Sequence, residues 1–401
     1  MKLALGLMSG TSGDGLSIAL AGFSQKNCQV LAYKTFPYPA NLFKKLTRAA
    51  EMKTPDLSLL NAELGIFFAK KTQEFLKTES VKTSSIEVIG SHGHTVFHAG
   101  DQKIPHTFQI GEPSYLAESL GIPVVSDFRP SDIAAGGSGA PLIPFFDQYF
   151  WGDKVRALQN IGGIANVTVV GTSKLSAFDT GPGNCLIDLT AQKMTRGKQS
   201  YDKGGKIAAR GKINLNAVKK MISHAYFEKC PPKSTGRELF NEGWIPAPLK
   251  KSKPEDLIAT LTYFTAYSIY AGYQKWIKEP IREIVVSGGG AYNQTLMTHL
   301  IKLFAPIPVL SIEHYKIHAQ AKEPAAFAFF ALQAIEGKIN HSPDGTGAKH
   351  AAILGKITPV FARQDKEPSS FKESHNQKDE KEETPLFPHL QFAGSGKGSK
   401  K

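Results

Sequence analysis

The N-terminal part of the chain alternates short apolar runs with glycine-rich turns. "KLALGLMSG" predicts a strand, "TSGDG" a turn and "LSIALAGF" a second strand, and so short a polar connection predicts an antiparallel hairpin. A third strand is predicted near "QVLAYKTFPY", and helical periodicity runs from about Ala40 to Lys77. "IEVIGSHG" then predicts a buried strand that ends in a histidine-rich loop, as at the strand tips of an open α/β sheet.

The same order of elements returns in the second half of the chain. Residues 127–144, "DFRPSDIAAGGSGAPLIP", are so rich in glycine that we predict neither helix nor strand there, but a loop that crosses between two domains. "VRALQNIGGIANVTVVG" again predicts strand, glycine-containing turn and strand, and "SAFDTGPGN" predicts the next strand and turn. The second half is therefore predicted to repeat the architecture of the first without repeating its sequence.

Helical patterns dominate the remainder of the chain. "KPEDLIATLTYFTAYSIYAGYQKWIKE" begins with proline and acidic residues and predicts a long, mostly buried helix. "IREIVVSGGGAYNQTLMTHLIKLF" predicts a strand, three glycines and a helix, and "KEPAAFAFFALQAIEG" predicts a last helix that packs through alanine and phenylalanine. The tail, residues 361–401, mixes charges of both signs with few apolar residues, so we predict that it is disordered.

Composition narrows the class of protein. The 401 residues suit two domains, and the net charge of +13 suits an anionic ligand. Because no nucleic-acid-binding motif accompanies that charge, a nucleotide is the better candidate than a nucleic acid. The three cysteines show no metal-site spacing and indicate a reducing compartment, and no stretch is long enough to span a membrane. We therefore expect a cytoplasmic enzyme.

Three glycine turns at strand ends carry the main chemical signal: "SGTSGDG", "DTGPGN" and "SGGGAYN". Glycine lets backbone N–H groups approach phosphate oxygens closely, although each turn alone is also compatible with an ordinary tight turn. The first turn lacks the lysine of a P-loop, and it joins two strands where a Rossmann fingerprint would open a helix. We predict two facing turns that grip a phosphate chain, with the third against the nucleoside.

The second turn also contains a carboxylate that needs an explanation. In "FDTGPGN" Asp179 follows an apolar strand and precedes Thr-Gly-Pro-Gly, which stops any element from continuing. The sequence therefore predicts that Asp179 is held at a strand tip.

These motifs resemble one family of the actin, sugar-kinase and heat-shock ATPase superfamily. "GLMSGTSGDG", "IGSHGHT", "NIGGIANVT", "FDTGPGN", "STGREL" and "VVSGGGAYN", in this order, are similar to the motifs of the anhydro-N-acetylmuramic acid kinases, from about residue 3 to 355. The resemblance implies an α/β, two-domain actin-like ATPase fold, with duplicated ribonuclease H-like domains and a central interdomain cleft. It places residues 1–126 and about 325–360 in the first domain and 127–324 in the second.

The resemblance also implies the reaction. Family members use ATP and Mg²⁺ to phosphorylate the 6-hydroxyl of 1,6-anhydro-N-acetylmuramic acid while water opens the anhydro bridge, in peptidoglycan recycling. The family's motif aspartate, here Asp179, activates that water as a general base. The implied sugar contacts are Thr95, Arg129 and Glu323, and Arg129 can pair with the lactyl carboxylate.

The implied nucleotide contacts follow the three glycine turns, with Asp14 also near Mg²⁺. They are Gly10, Thr11, Ser12, Gly13, Asp14, Gly15, Ser17, Gly181, Gly183, Gly288, Gly289 and Gly290.

The chain departs from the family pattern at four positions. Gly13 stands where a bulky apolar residue is usual, Ser17 where an acidic residue is frequent, and His94 where glutamine is usual. Pro324 replaces the alanine that usually follows Glu323, which the first turn of a helix tolerates.

Other functions stay open on the sequence alone. One is a kinase for another amino sugar, and another is a non-catalytic ATP-dependent clamp of the same superfamily. His92 and His94 offer a metal site, although a pair without a third ligand is usually structural. The expected partners are an amino sugar and ATP, with neither nucleic acid nor membrane, and a homodimer is a possible assembly.

Overall fold

The structure, a computed structural model, describes residues 1–9, 15–173, 176–231, 233–236 and 238–360. Both the first glycine turn, residues 10–14, and the predicted disordered tail lie outside the described residues. Two β-sheets organise the described part of the chain.

The first sheet is built mainly from the N-terminal part of the chain. Its strands are β1 (Lys2–Ser9), β2 (Leu16–Ser24), β3 (Asn27–Phe36), β4 (Val88–Ala99), β5 (His106–Ile110), β6 (Val124–Ser126) and, from near the end of the described chain, β12 (Lys356–Thr358). The second sheet contains β7 (Arg156–Ile161), β8 (Ile164–Val170), β9 (Ser176–Pro182), β10 (Glu283–Ser287) and β11 (Val309–Ser311).

The two sheets have matching topology. In the first, β3, β2 and β1 form an antiparallel meander, and β4 and β6 continue it in parallel beyond β1. In the second, β9, β8 and β7 form the meander, and β10 and β11 continue it in parallel. This repetition confirms the predicted hairpins and the duplicated, ribonuclease H-like α/β architecture, which is that of a two-domain actin-like fold.

Helices pack against both sheets. They are α1 (Ala40–Leu46), α2 (Thr54–Thr78), α3 (Pro113–Leu120), α4 (Phe128–Ala134), α5 (Ile143–Trp151), α6 (Cys185–Met194), α7 (Leu215–Ile222), α8 (Ala247–Lys250), α9 (Pro254–Trp276), α10 (Gln294–Phe304), α11 (Lys322–Ile335) and α12 (Pro343–Thr346). The long helix after Pro254 is confirmed, whereas the short α12 follows α11, which the sequence predicted as the last helix. Within the described ranges, every helix falls short of the length or apolarity that a membrane span requires.

Helix α11 lies directly on the backbone of the first sheet. A Cβ atom added to Gly6 in β1 would lie 1.7 Å from the carbonyl oxygen of Pro324, and one added to Gly90 in β4 would lie 2.0 Å from that of Phe327. Glycine at these two positions therefore permits the close approach of α11 to the strands. This packing sets the position of the first turn of α11, which contains Glu323.

Helices α5 and α11 also form a core that both sheets share. One buried apolar cluster joins Ala4 and Val88 of the first sheet to Leu158 and Val285 of the second, with α5 and α11 between them. The phenylalanine-rich faces of the two helices meet in this cluster, as in the contact between Phe146 and Phe329, whose ring centroids are 5.9 Å apart.

Two sequence predictions about local structure are wrong. The histidine-rich segment belongs to β4, which continues as strand to Ala99 because it pairs with β5 in an antiparallel hairpin. Residues 128–134 form α4 and residues 143–144 begin α5, although we predicted a loop over residues 127–144. The glycines begin only at Gly136, after α4 has ended, and Pro130 lies in the first turn, where proline is tolerated.

Candidate active site

The second and third glycine turns converge at the end of β7. The backbone N–H groups of Gly183 and Asn184 donate to the carbonyls of Gly163 and Gly162, at 2.9 and 2.7 Å. On the other side, a Cβ atom on Gly288 would lie 2.6 Å from the carbonyl oxygen of Ile161. Because β7, β9 and β10 belong to one sheet, the turns that follow them meet at a single edge.

Two glycines at this edge are not explained by the packing of the protein. A Cβ atom on Gly289 would meet nothing nearer than the Asn184 side-chain nitrogen at 3.7 Å, and one on Gly162 nothing nearer than the Ile164 carbonyl oxygen at 3.7 Å. Neither residue has the positive φ that favours glycine. The absence of a side chain at these positions therefore leaves space for a ligand that approaches the backbone.

The other predicted glycine contacts within the described ranges already have structural reasons to be glycine. Gly181 and Gly288 have φ values of 147° and 82°, which side-chain-bearing residues rarely adopt. A Cβ atom on Gly183 would lie 2.3 Å from the Gly162 carbonyl oxygen, and one on Gly290 would lie 2.4 Å from Ile161. Gly15 has a φ of 150°, and a Cβ atom on it would also lie too close to the Phe36 carbonyl oxygen. Their contact with nucleotide stays a prediction.

Asp179 is held by three contacts with residues 226–235. Its Oδ2 atom accepts from the Thr235 backbone N–H at 2.8 Å, and its own N–H donates to the Lys233 carbonyl at 3.0 Å. The Tyr226 hydroxyl donates to the Asp179 carbonyl at 2.9 Å. Burial raises the pKa of the Asp179 carboxyl to about 6, although the Thr235 N–H and the charge of Lys233 oppose the shift.

The prediction that Asp179 lies at a strand tip is wrong. It lies in the interior of β9, which runs on through Thr180 and Gly181 to Pro182. Because β9 is the edge strand, its outer side is free to bond the segment around Lys233, and the irregular pairing between β8 and β9 accommodates Gly181. The strand therefore tolerates an aspartate and a proline that a central strand would disfavour.

Arg129, at the start of α4, is oriented by a histidine of β4. The Nε atom of Arg129 donates to Nε2 of His92 at 3.0 Å, and Nδ1 of His92 bonds the Gly93 carbonyl at 3.0 Å. Burial and the positive charge of Arg129 lower the pKa of His92 to about 3, so the ring is neutral and Nε2 accepts. Burial also lowers the pKa of Arg129 to about 10, which leaves it charged at neutral pH.

Glu323 and Thr95 lie on elements near this arginine. Glu323 is partly buried in the first turn of α11. Burial raises the pKa of the Glu323 carboxyl, while the charges of Lys322 and Arg129 act against that shift. Thr95 follows His94 in β4, and its hydroxyl accepts from the Gln109 side chain at 3.3 Å. The structure thus brings Arg129 and Glu323 within electrostatic range, and their contact with a sugar stays a prediction.

His94 and Ser17 make contacts within the first sheet. Nδ1 of His94 is 2.9 Å from the Ser9 hydroxyl, which also accepts from the Tyr38 hydroxyl at 2.6 Å. The Ser17 hydroxyl lies 2.9 Å from that of Thr35 on the neighbouring strand. Within the described ranges, no three His, Cys, Asp or Glu side chains form a cluster that could hold a metal ion. His92 and His94 each make hydrogen-bonding contacts within the protein.

The sequence analysis did not assign to the site several residues that contact its members or lie beside them. They are Gly162, Asn184, Tyr226 and Thr235. Gly162 was available as a signal, because "NIGGIAN" repeats the glycine-turn pattern of the other segments. Asn184 donates its side-chain amide to the Ile161 carbonyl at 3.2 Å and lies beside Gly289. Thr235 lies in the quoted motif "STGREL", which marked this segment without indicating its contact with Asp179, and the contact of Tyr226 with Asp179 had no local signal.

Two sheets of matching topology, with glycine turns that meet at one edge of the second, define the class as proteins with an actin-like fold. Comparison with known proteins gives the family. The sequence model of the anhydro-N-acetylmuramic acid kinase family matches residues 2–360. An anhydro-N-acetylmuramic acid kinase of Caldanaerobacter subterraneus subsp. tengcongensis is 38% identical over 383 residues, covering 89% of this chain and 97% of the relative.

A second relative agrees with the first. The anhydro-N-acetylmuramic acid kinase of Francisella tularensis subsp. novicida is 37% identical over 377 residues, covering 89% of this chain and 98% of the relative. Among solved structures, component A of (R)-2-hydroxyglutaryl-CoA dehydratase from Acidaminococcus fermentans aligns over 83% of this chain and 98% of its own, at 12% identity and a TM-score of 0.45.

The chain belongs to the anhydro-N-acetylmuramic acid kinase family. It is a kinase with a role in cell-wall recycling, as its motifs implied.

Proposed function

We propose that the protein phosphorylates 1,6-anhydro-N-acetylmuramic acid on O6 with ATP while a water molecule opens the anhydro bridge. The observation that carries this proposal is the environment of Asp179, a held carboxylate whose pKa burial raises to about 6. At pH 7 such a group is about 90% ionised, yet it is a stronger base than an exposed aspartate.

The residues support a balanced sequence of bond changes. Asp179 takes a proton from water as the water oxygen bonds to C1 of the sugar. The bond between C1 and O6 breaks, O6 attacks the γ-phosphorus of ATP, and ADP leaves. The Thr235 N–H holds the Asp179 carboxylate in one orientation throughout. General-base catalysis of this kind contributes about 10²- to 10⁴-fold to a rate.

Charge and shape support the binding of both substrates. The guanidinium of Arg129, oriented by neutral His92, is suited to the sugar's lactyl carboxylate, with Glu323 in electrostatic range and Thr95 on the same strand as His92. The space over Gly162 and Gly289 is suited to the phosphate chain or nucleoside of ATP. Asp14, the proposed Mg²⁺ ligand, lies outside the described residues, and no step here is routed through the ion.

The decisive experiment uses the purified protein with ATP, MgCl₂ and a panel of anhydro and ordinary amino sugars in H₂¹⁸O. We expect mass spectrometry to show phosphorylation of the anhydro sugar with one ¹⁸O atom incorporated from water. Phosphorylation of ordinary amino sugars alone would contradict the proposal and support a kinase for another amino sugar. ATP hydrolysis that no sugar stimulates would support a clamp.

A further inference from the structure

A buried ion pair between Asp147 and Lys322 joins α5 to α11, and Lys322 directly precedes Glu323 in the chain. Nζ of Lys322 lies 3.2 Å from Oδ2 of Asp147, and the two side chains are 5% and 1% exposed. Oδ1 of Asp147 has no hydrogen-bond partner among the described residues. Since burial of charges costs free energy that an imperfect pair does not recover, a pair of apolar residues would stabilise this position at least as well.

The location of Lys322 is unfavourable for a cation in a second way. Lys322 is the first residue of α11, where the partial positive charge of the helix N-terminus repels a cation. Its surroundings are the apolar cluster that α5 and α11 share, which includes Phe146 and Phe329. Neither burial nor the helix dipole therefore accounts for a lysine at this position. Its neighbour in the chain, Glu323, belongs to the proposed sugar site and offers a functional reason for the lysine.

The charges around Glu323 are few and of both signs. Among the described residues, Lys322 and Arg129 favour the ionised form of Glu323, and Asp147 opposes it. The ion pair is thus in electrostatic contact with the carboxylate. It also connects α5, which packs on β8 of the second sheet, to α11, which packs on β1 and β4 of the first.

We propose that the Asp147–Lys322 pair positions Glu323 in the active site by fixing the first turn of α11 against α5. Asp147 and Lys322 are positioning residues that act through Glu323 on the sugar. This inference rests on the proposed function through the assignment of Glu323 to the sugar site. It predicts that removing both charges leaves the fold stable and impairs the reaction.

The test is the double variant Asp147→Leu/Lys322→Met, measured with anhydro sugar and ATP. We expect a melting temperature within a few degrees of the wild type, a fall in kcat/KM for the sugar of about tenfold or more, and a KM for ATP changed less than about threefold. A matched control is Arg156→Met/Glu283→Gln, which removes another buried ion pair. That pair lies where β7 and β10 begin, at the ends of these strands away from the glycine turns. Its kcat/KM for the sugar is expected within threefold of wild type.

The single variant Lys322→Gln tests the inference even where the double variant does not fold. Burial already raises the pKa of Asp147, so its carboxyl can take up a proton once the lysine is absent. We expect reduced kcat/KM for the sugar, with the KM for ATP changed less than about threefold. Wild-type kcat/KM for the sugar in this variant would overturn the inference. Inactive wild-type protein in the same assay would instead contradict the proposed function.

Discussion

Asp179 combines a fixed orientation with an unusual proton affinity. Its carboxylate accepts from the Thr235 N–H, and burial raises its pKa to about 6. These two properties suit a general base at neutral pH, and each can be removed separately by experiment.

We predict that Asp179→Asn lowers kcat by about 10²-fold or more, because the amide keeps the shape and the Thr235 contact but cannot take a proton. The dissociation constant for ATP should change less than about tenfold, or 1.4 kcal/mol, since the glycine turns bind the nucleotide. Turnover and ATP binding are measured on the same folded sample. Near-normal turnover would remove Asp179 from the mechanism.

The pH dependence of the wild type follows from the same residue. Because the base must be ionised, kcat/KM for the sugar should fall about tenfold per pH unit below the Asp179 pKa of about 6 and be level above it. A complete pH profile with ATP saturating checks this. An acid limb centred near pH 4, the ordinary range of an exposed aspartate, would show that burial does not tune the base.

Gly289 is one of the two glycines at the site edge whose lack of a side chain protein packing does not explain. We predict that Gly289→Ala leaves the melting temperature nearly unchanged and weakens ATP binding about tenfold or more, because the methyl group occupies the space of the ligand. Calorimetric titration with a non-hydrolysable ATP analogue measures this. Gly272→Ala is the control, since its Cβ would make only ordinary contacts at 3.6 Å or more, and unaltered binding in both variants would contradict the assignment.

Among the elements, α11 has the greatest influence on the site. It rests on the bare backbone of β1 and β4 at Gly6 and Gly90, and its first turn contains both Glu323 and the lysine of the buried pair. A small displacement of this helix would therefore move Glu323 relative to Arg129.

At this scale we predict that Gly6→Ala destabilises the protein by at least about 3 kcal/mol, because the new Cβ would lie 1.7 Å from the Pro324 carbonyl oxygen and α11 would have to move. Gly22→Ala in β2 is the control. Its Cβ would meet only the flexible, largely exposed side chain of Met1, so its effect is expected within about 1 kcal/mol. Urea unfolding measures both, and equal stability of the two variants would contradict the close packing of α11.

At the scale of the whole molecule, the glycine-rich loop that follows α4 is fixed in place. Gly139 N donates to Asp132 Oδ2 at 2.6 Å, and Ser138 N donates to the Thr346 carbonyl at 3.0 Å. These bonds restrict motion within the loop. We therefore expect the hinge of any closing motion of the two sheets to lie outside this loop.

We predict that ATP and the anhydro sugar together reduce the radius of gyration, since two units that share one cleft close on their ligands. Small-angle scattering of Asp179→Asn measures this while turnover is slowed by about 10²-fold or more. An unchanged radius with both ligands bound would contradict closure. The domain borders, 1–126 with 325–360 and 127–324, stay a prediction.

The sequence by itself determined what depends on neighbouring residues. Alternation of apolar positions predicted the hairpins of β1 with β2 and of β7 with β8, because strand periodicity and turn residues act locally. The motifs around Asp179 and Ser287 located the two turns that the structure brings together.

Only the tertiary structure determined what depends on residues far apart in the chain. His92 orients Arg129 across 37 residues, and Asp147 meets Lys322 across 175. The extension of β4 required its partner β5, and the interior position of Asp179 in β9 required an edge strand whose outer side bonds Lys233. Such contacts depend on packing and on which backbone groups remain unpaired after folding, so no local pattern of residue types predicts them.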